Sequence, residues 1–163
     1  MRSLAVLSVV ALVGLSAATK NLPEKFYGKF LCEDAKNENF DEYLTAKGYS
    51  WFTRKLIVFA KFEKVFARST KPGHFSFENL TSKKDVSYKD VEIGKQFVGE
   101  GLDSTKHEIT FTLEGDHVFE KHHPLEAGEA KDETYEYYME GDYLVNKMEA
   151  GSIIAKRYYK RTE

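Results

Sequence analysis

Arg157 and Tyr159 stand two residues apart near the C-terminus, so on a strand they face the same way. Arginine offers a planar fork of donors and stays charged at any physiological pH. With a carboxylate it makes charge-assisted hydrogen bonds, and a tyrosine O–H adds a neutral donor to the same group. A lone arginine in an apolar interior is costly. An inward Arg157 therefore calls for a counter-anion, which a bound organic acid supplies; the same alternation of Lys, Arg and Tyr also fits a solvated terminal strand. His107, His117, His122 and His123 raise metal or base chemistry. On one strand, however, His122 faces away from His117 and His123, and no Cys/His/Asp ligand spacing accompanies them. There is no Gly-x-Ser-x-Gly elbow, and the single cysteine, Cys32, has no evident catalytic partner and reads as an inert buried thiol. Enzyme chemistry, a metal and a cofactor are thereby disfavoured.

The chain has 163 residues, enough for one domain with a real core. Its start reads as a secretory leader: Arg2, an almost wholly apolar run from Leu4 to Leu15, then Ser16-Ala17-Ala18 for cleavage. The run falls short of the roughly 20 residues that span a bilayer as a helix. We expect a leader over residues 1–18 and one domain over 19–163. Without Arg2 the balance is 23 basic against 26 acidic residues, with no long basic run, so nucleic acid is a poor partner. One cysteine excludes an intramolecular disulfide, so the fold must rest on its core or on a filled barrel. Asn79-Leu80-Thr81 is an N-glycosylation sequon.

Positioning these groups requires strands. Residues 26–33 read as a first strand, 39–62 as two short helices, and everything after Glu63 as β. Asn39 followed by Glu42 reads as an N-terminal capping signal, and Gly48 as the helix stop. The second helix, from about Ser50 to Ala60, carries Trp51, Phe52, Leu56, Ile57, Val58 and Phe59 around most of its circumference, which predicts partners on more than one face. Further on, turn signals such as Glu114-Gly115-Asp116, Glu140-Gly141-Asp142 and Ala150-Gly151-Ser152 separate short alternating runs. In one of these, Ile109, Phe111 and Leu113 share a face. The count is ten strands, a sandwich or a closed antiparallel barrel. Polar groups on both faces of the last strand favour a barrel with a wet, ligand-holding interior.

Several of these pieces, in order, resemble the intracellular lipid-binding proteins, whose best-known members are the fatty-acid-binding proteins. They are Gly28-Lys29-Phe30, then Asn39-Phe40-Asp41-Glu42-Tyr43-Leu44, Gly48 through Thr53-Arg54, Gly94-Lys95-Gln96-Phe97, and Arg157-Tyr158-Tyr159. The resemblance implies an all-β, ten-stranded antiparallel up-and-down barrel, capped by a helix-turn-helix lid, with the ligand inside. It implies that Arg157 and Tyr159 meet the ligand carboxylate. Tyr137 stands where the family places a second arginine, and Lys106 aligns with a basic position that acts through water. Phe40, Tyr43, Leu44 and Tyr49 match ligand-wall or lid positions. Family members are usually cytosolic, and the leader makes this chain look like the secreted branch known from nematodes. Extra length at residues 62–69 and 83–88 is compatible with that branch's longer portal loops. The expected function is a secreted, non-enzymatic, monomeric carrier of long-chain fatty acids for extracellular transport or sequestration. Retinoids or other hydrophobic ligands, or a protein-interaction module, are the alternatives. Lys55, Lys61, Lys64, Lys83 and Lys84 around the lid fit either transient contact with an anionic membrane or a solvated rim.

Overall fold

The computed structural model describes residues 20–163, so the expected leader over residues 1–18 lies outside the described residues. After a 3-10 turn, Glu24–Phe26, comes β1 (Gly28–Cys32), and a second 3-10 turn, Asp34–Lys36, leads to α1 (Phe40–Ala46) and α2 (Trp51–Val58). The remaining strands are β2 (Phe62–Arg68), β3 (His74–Thr81), β4 (Val86–Glu92), β5 (Gln96–Glu100), β6 (Lys106–Glu114), β7 (His117–Pro124), β8 (Glu133–Glu140), β9 (Tyr143–Ala150) and β10 (Ile153–Arg161). Three of the hairpins turn on two residues, and Gly115, Gly141 and Gly151 take the first place of each with φ of 57°, 57° and 60°. A positive φ at that place is what a type II′ hairpin turn requires, and glycine adopts it without steric cost. This is why the Gly-containing turn signals fixed the strand boundaries.

Every paired strand is antiparallel, in the order β4-β3-β2-β1-β10-β9-β8-β7-β6-β5. The first and last strands therefore meet, with Phe30 of β1 opposite Arg161 of β10. β4 and β5 do not pair with each other; side chains fill the seam. Tyr88 of β4 lays its ring 5.3 Å from that of Phe97 in β5, and its hydroxyl donates to the carbonyl of Glu100 at 2.9 Å. Gly99 permits this approach: a Cβ there would lie 2.9 Å from both Tyr88 and Ile109. The result is a nearly closed ten-stranded barrel. Its inward positions are largely aromatic, with Phe26, Phe30, Phe66, Phe75, Phe77 and Phe111 buried in one cluster. Burying each such ring contributes about 1.5–3 kcal/mol.

The lid is built in two different ways. α1 buries Tyr43 and Leu44 against Met148 and Ala155 of β9 and β10. It stops in a Schellman motif, where Gly48 N–H donates to the Thr45 carbonyl and Tyr49 N–H to the Leu44 carbonyl, with Gly48 at φ 84°. Its start departs from the capping expectation. Asn39 has φ 52° and makes no side-chain cap; its amide donates to the Ile154 carbonyl at 2.9 Å, tying the helix entry to β10. α2 departs further, for it buries no residue. Trp51 and Phe52 are each 65% exposed and Phe59 79%, because the helix rests on the barrel mouth and has no second layer above it. The expected extra length at 62–69 and 83–88 is also placed differently: most of it is strand, in β2 and β4. The long connection is residues 125–132, between β7 and β8. From there Glu129 accepts hydrogen bonds from Ser50 N–H and the Thr53 hydroxyl, both at 2.8 Å.

Candidate functional site

Antiparallel register sets Tyr137 of β8, Asn146 of β9 and Arg157 of β10 side by side on the inner face. All three are buried. The Arg157 guanidinium lies 4.2 Å from the ring of Phe40 in α1 and 4.2 Å from that of Phe62 in β2, so one cation is stacked between lid and barrel. Its Nη2 donates to Cys32 Sγ at 3.3 Å and Asp34 Oδ1 at 3.4 Å. Arg157 is thus not alone: the half-exposed carboxylate of Asp34 already supplies part of its countercharge. Its Nε has no partner, and neither does Asn146 Oδ1 beside it. Tyr159, two residues on, is buried on the same face, and the Arg157 guanidinium is 5.6 Å from its ring. Burial pushes the Tyr159 hydroxyl well up, leaving it a neutral donor.

Across the barrel, β2 contributes an interior cation that grouping the lysines as a rim had hidden. Lys64 is 3% exposed. Its Nζ lies over the rings of Phe77, Tyr135, Tyr137 and Tyr159 at 5.4, 6.0, 5.3 and 5.5 Å. Burial pushes this amine down to about 8; Glu120 opposes that and Arg157 adds to it. Glu120 of β7 is itself buried and accepts from the Tyr137 hydroxyl at 2.6 Å. Burial drives its carboxyl up, but His122, Lys64 and Tyr137 outweigh this and hold it below the usual carboxylate range. From Glu120 the polar chain continues to His122 at 2.7 Å, then to His107 at 3.4 Å and to Asp103 at 3.0 Å, near the barrel rim. His107 and His122 belong to this network. Among the described residues, no group of three or more His, Cys, Asp or Glu is arranged to hold a metal ion.

Other expected positions fall elsewhere. Lys106 is exposed, because the inner face of β6 belongs to His107, Ile109 and Phe111, and Lys106 alternates away from them. It cannot reach a ligand held inside. Asn79 shares a strand face with Phe75 and Phe77 and sits opposite Lys64, with a buried, unpartnered Oδ1. Asn79 as a whole is only half-buried, and its sequon lies within β3. The Tyr137 hydroxyl is committed to Glu120. Phe40 meets Arg157, whereas Tyr43 and Leu44 pack α1 onto the barrel, and the Tyr49 hydroxyl donates to Glu133 at 2.9 Å, pinning the lid to β8. Of the rim lysines, Lys84 pairs with Glu100 and Ser104 at the seam, and Lys64 is inside.

The arrangement places two cations, Arg157 and Lys64, and three unpartnered buried atoms, Arg157 Nε, Asn146 Oδ1 and Asn79 Oδ1, on the inner face of a barrel walled by aromatic rings. It can hold an amphiphile with an anionic end and an apolar body. No protein-family model matches the chain. Among curated proteins, fatty acid-binding protein homolog 2 of Caenorhabditis elegans is 61% identical over 144 residues, 88% of either chain. The fatty acid-binding protein homolog of Ascaris suum is 44% identical over 159 residues, 96% of either chain. Among solved structures, As-p18, described as an extracellular fatty acid binding protein, superposes with a TM-score of 0.81 at 46% identity, covering 88% of this chain and all of that one. With this barrel, this lid and relatives this similar along almost their whole length, the chain belongs to the fatty-acid-binding protein family.

Proposed function

We propose that the chain is a secreted, non-enzymatic carrier that holds one long-chain fatty acid inside the barrel. Residues 1–18 are the leader and 19–163 the carrier domain. The acyl chain lies among the aromatic side chains, where each buried methylene contributes about 0.8 kcal/mol, and the carboxylate lies between Arg157 and Lys64, beside Tyr159. The observation that carries this reading is the open hydrogen-bonding capacity of the interior: Arg157 Nε and Asn146 Oδ1, neighbours across β9 and β10, are buried without partners. Unmade polar bonds cost stability that a bound headgroup restores. The relatives' names point the same way, and the extracellular description of As-p18 supports secretion. The carrier works as a monomer. The exposed apolar face of α2, with Lys55 and Lys83 along its groove, touches anionic membranes as ligand enters or leaves.

One preparation tests the whole reading. Protein recovered from the medium of secreting cells should begin just after Ala18 and release about one fatty acid per chain on mild solvent extraction, within the accuracy expected of a one-site carrier. In the emptied protein, Arg157→Ala should weaken binding of a free fatty acid about tenfold to a hundredfold, as expected for a lost charge-assisted pair, and leave its methyl ester nearly unchanged. An equal loss for both ligands would remove Arg157 from the headgroup site. A barrel that yields no lipid and ignores fatty acids and retinol alike would end the carrier reading.

A further inference from the structure

Lys64 differs from the lysines of the barrel exterior in what surrounds its amine. It is walled by four aromatic rings at 5.3–6.0 Å. No carboxylate of the described residues comes within 4.0 Å of it, whereas Lys25, Lys29, Lys71 and Lys147 each have at least one. Across the β2–β3 ladder its neighbour is Asn79, neutral and with a buried, unpartnered oxygen. An amine so placed is held on a strand, screened from water and aimed at the space where the proposed ligand's polar end comes to rest.

A fatty acid presents a carboxylate there, which pairs with the ammonium. A lipid of the same length that ends in an aldehyde presents a carbonyl carbon to the same nitrogen. We propose that Lys64 is a reversible covalent site for long-chain lipid aldehydes, which it captures as an imine inside the barrel. This rests on the carrier reading, since the aldehyde must enter as a fatty acid does. In the reaction the lone pair of the neutral amine attacks the carbonyl carbon, and the carbon–oxygen π pair moves to oxygen. A proton passes from nitrogen to oxygen to give the carbinolamine. The nitrogen lone pair then forms the C=N bond as the hydroxyl leaves with the second N–H proton as water. One amine and one aldehyde give one imine and one water, without oxidant or reductant, and readmitted water reverses the step. Aromatic walls that exclude water hold the equilibrium toward the imine.

The charge state of the amine supports this. Lys64 titrates at about 8 and an ordinary lysine at 10.5. At neutral pH the nucleophilic, uncharged form is then on the order of a hundredfold more abundant at Lys64.

The test uses the delipidated chain and hexadecanal, with borohydride added to fix any imine, followed by peptide mapping. A fluorescent fatty-acid analogue is titrated into the same protein in parallel. The expected result is one alkyl chain per protein, concentrated on the Lys64 peptide and suppressed by excess oleate; Lys64→Arg should lose that label. Protein that binds the analogue but carries no adduct at Lys64, or labels all its lysines alike, overturns the imine site and leaves the carrier intact. Protein that neither binds the analogue nor forms the adduct overturns both. Competition by oleate on the unaltered chain keeps the proposal testable even where the arginine variant does not fold.

Discussion

An ammonium enclosed by aromatic rings costs stability in proportion to how far its titration has moved. For Lys64 the folded value is about 8 against 10.5 for a free lysine. Between those values the unfolded chain binds more protons, so stability rises with pH across that window. Below about 8 the amine is charged in both states and the full cost, on the order of 3 kcal/mol, is present. Lys64→Met should therefore make the ligand-free protein more stable at pH 7. That advantage should shrink as pH climbs from 8 to 10.5, as urea unfolding at a series of pH values will measure. An unchanging advantage would mean that packing, not charge, sets it. At this scale the sequence was informative where parity was followed through. Spacing of two put Arg157 and Tyr159 on one face, and both are inside. The same rule, applied from Ile109 and Phe111, already turns Lys106 outward and His107 inward. On β2 it lines Lys64 up with Phe62 and Phe66. Glu120 was harder to see, because an acid between Val118 and His122 reads as surface until its partners Tyr137 and Lys64 arrive from other strands.

The two lid helices are held by unequal means, and a prediction follows for the weaker one. α1 is fixed by buried side chains, by Asn39 reaching β10 and by Arg54 meeting Asp41 at 3.2 Å. α2 has no buried residue and depends at its N-terminus on the Ser50 cap, whose Oγ accepts from Thr53 N–H, and on Glu129 from the 125–132 connection. Ser50→Ala should destabilise α2 by about 1 kcal/mol. Hydrogen exchange should quicken in residues 51–58 while the β10 amides keep their protection; an unchanged rate in α2 would show that the cap does not hold it. Its apolar residues, spread around the helix, looked like a helix buried on several sides. The physical reason they are not is position: at the barrel mouth there is no second layer to receive them, and sequence periodicity carries no information about what lies above a helix.

At the scale of the molecule, ten strands were countable because each tight turn carries a glycine or another turn-forming pair, and the strands between them alternate. The place where the barrel fails to pair was not countable, since the β4–β5 seam depends on one tyrosine lying against one glycine. Gly99→Val should force Tyr88 and Ile109 apart and cost roughly 1–3 kcal/mol, as overpacking does. The loss should appear in thermal unfolding and should be relieved by also replacing Tyr88 with a smaller residue. If the valine is tolerated without loss, the seam is not closely packed.

The pairing of β1 with β10 sets an order of events for the newborn chain. Phe30 cannot meet Arg161 until β10 has been made, so the barrel cannot seal while the earlier strands emerge. Contacts this distant along the chain make for slow folding. The hairpins from β2 to β10 can form one after another as they emerge, while the first strand waits for its second partner. The same pairing makes β10 a latch, without which β1 would keep only β2 as a neighbour.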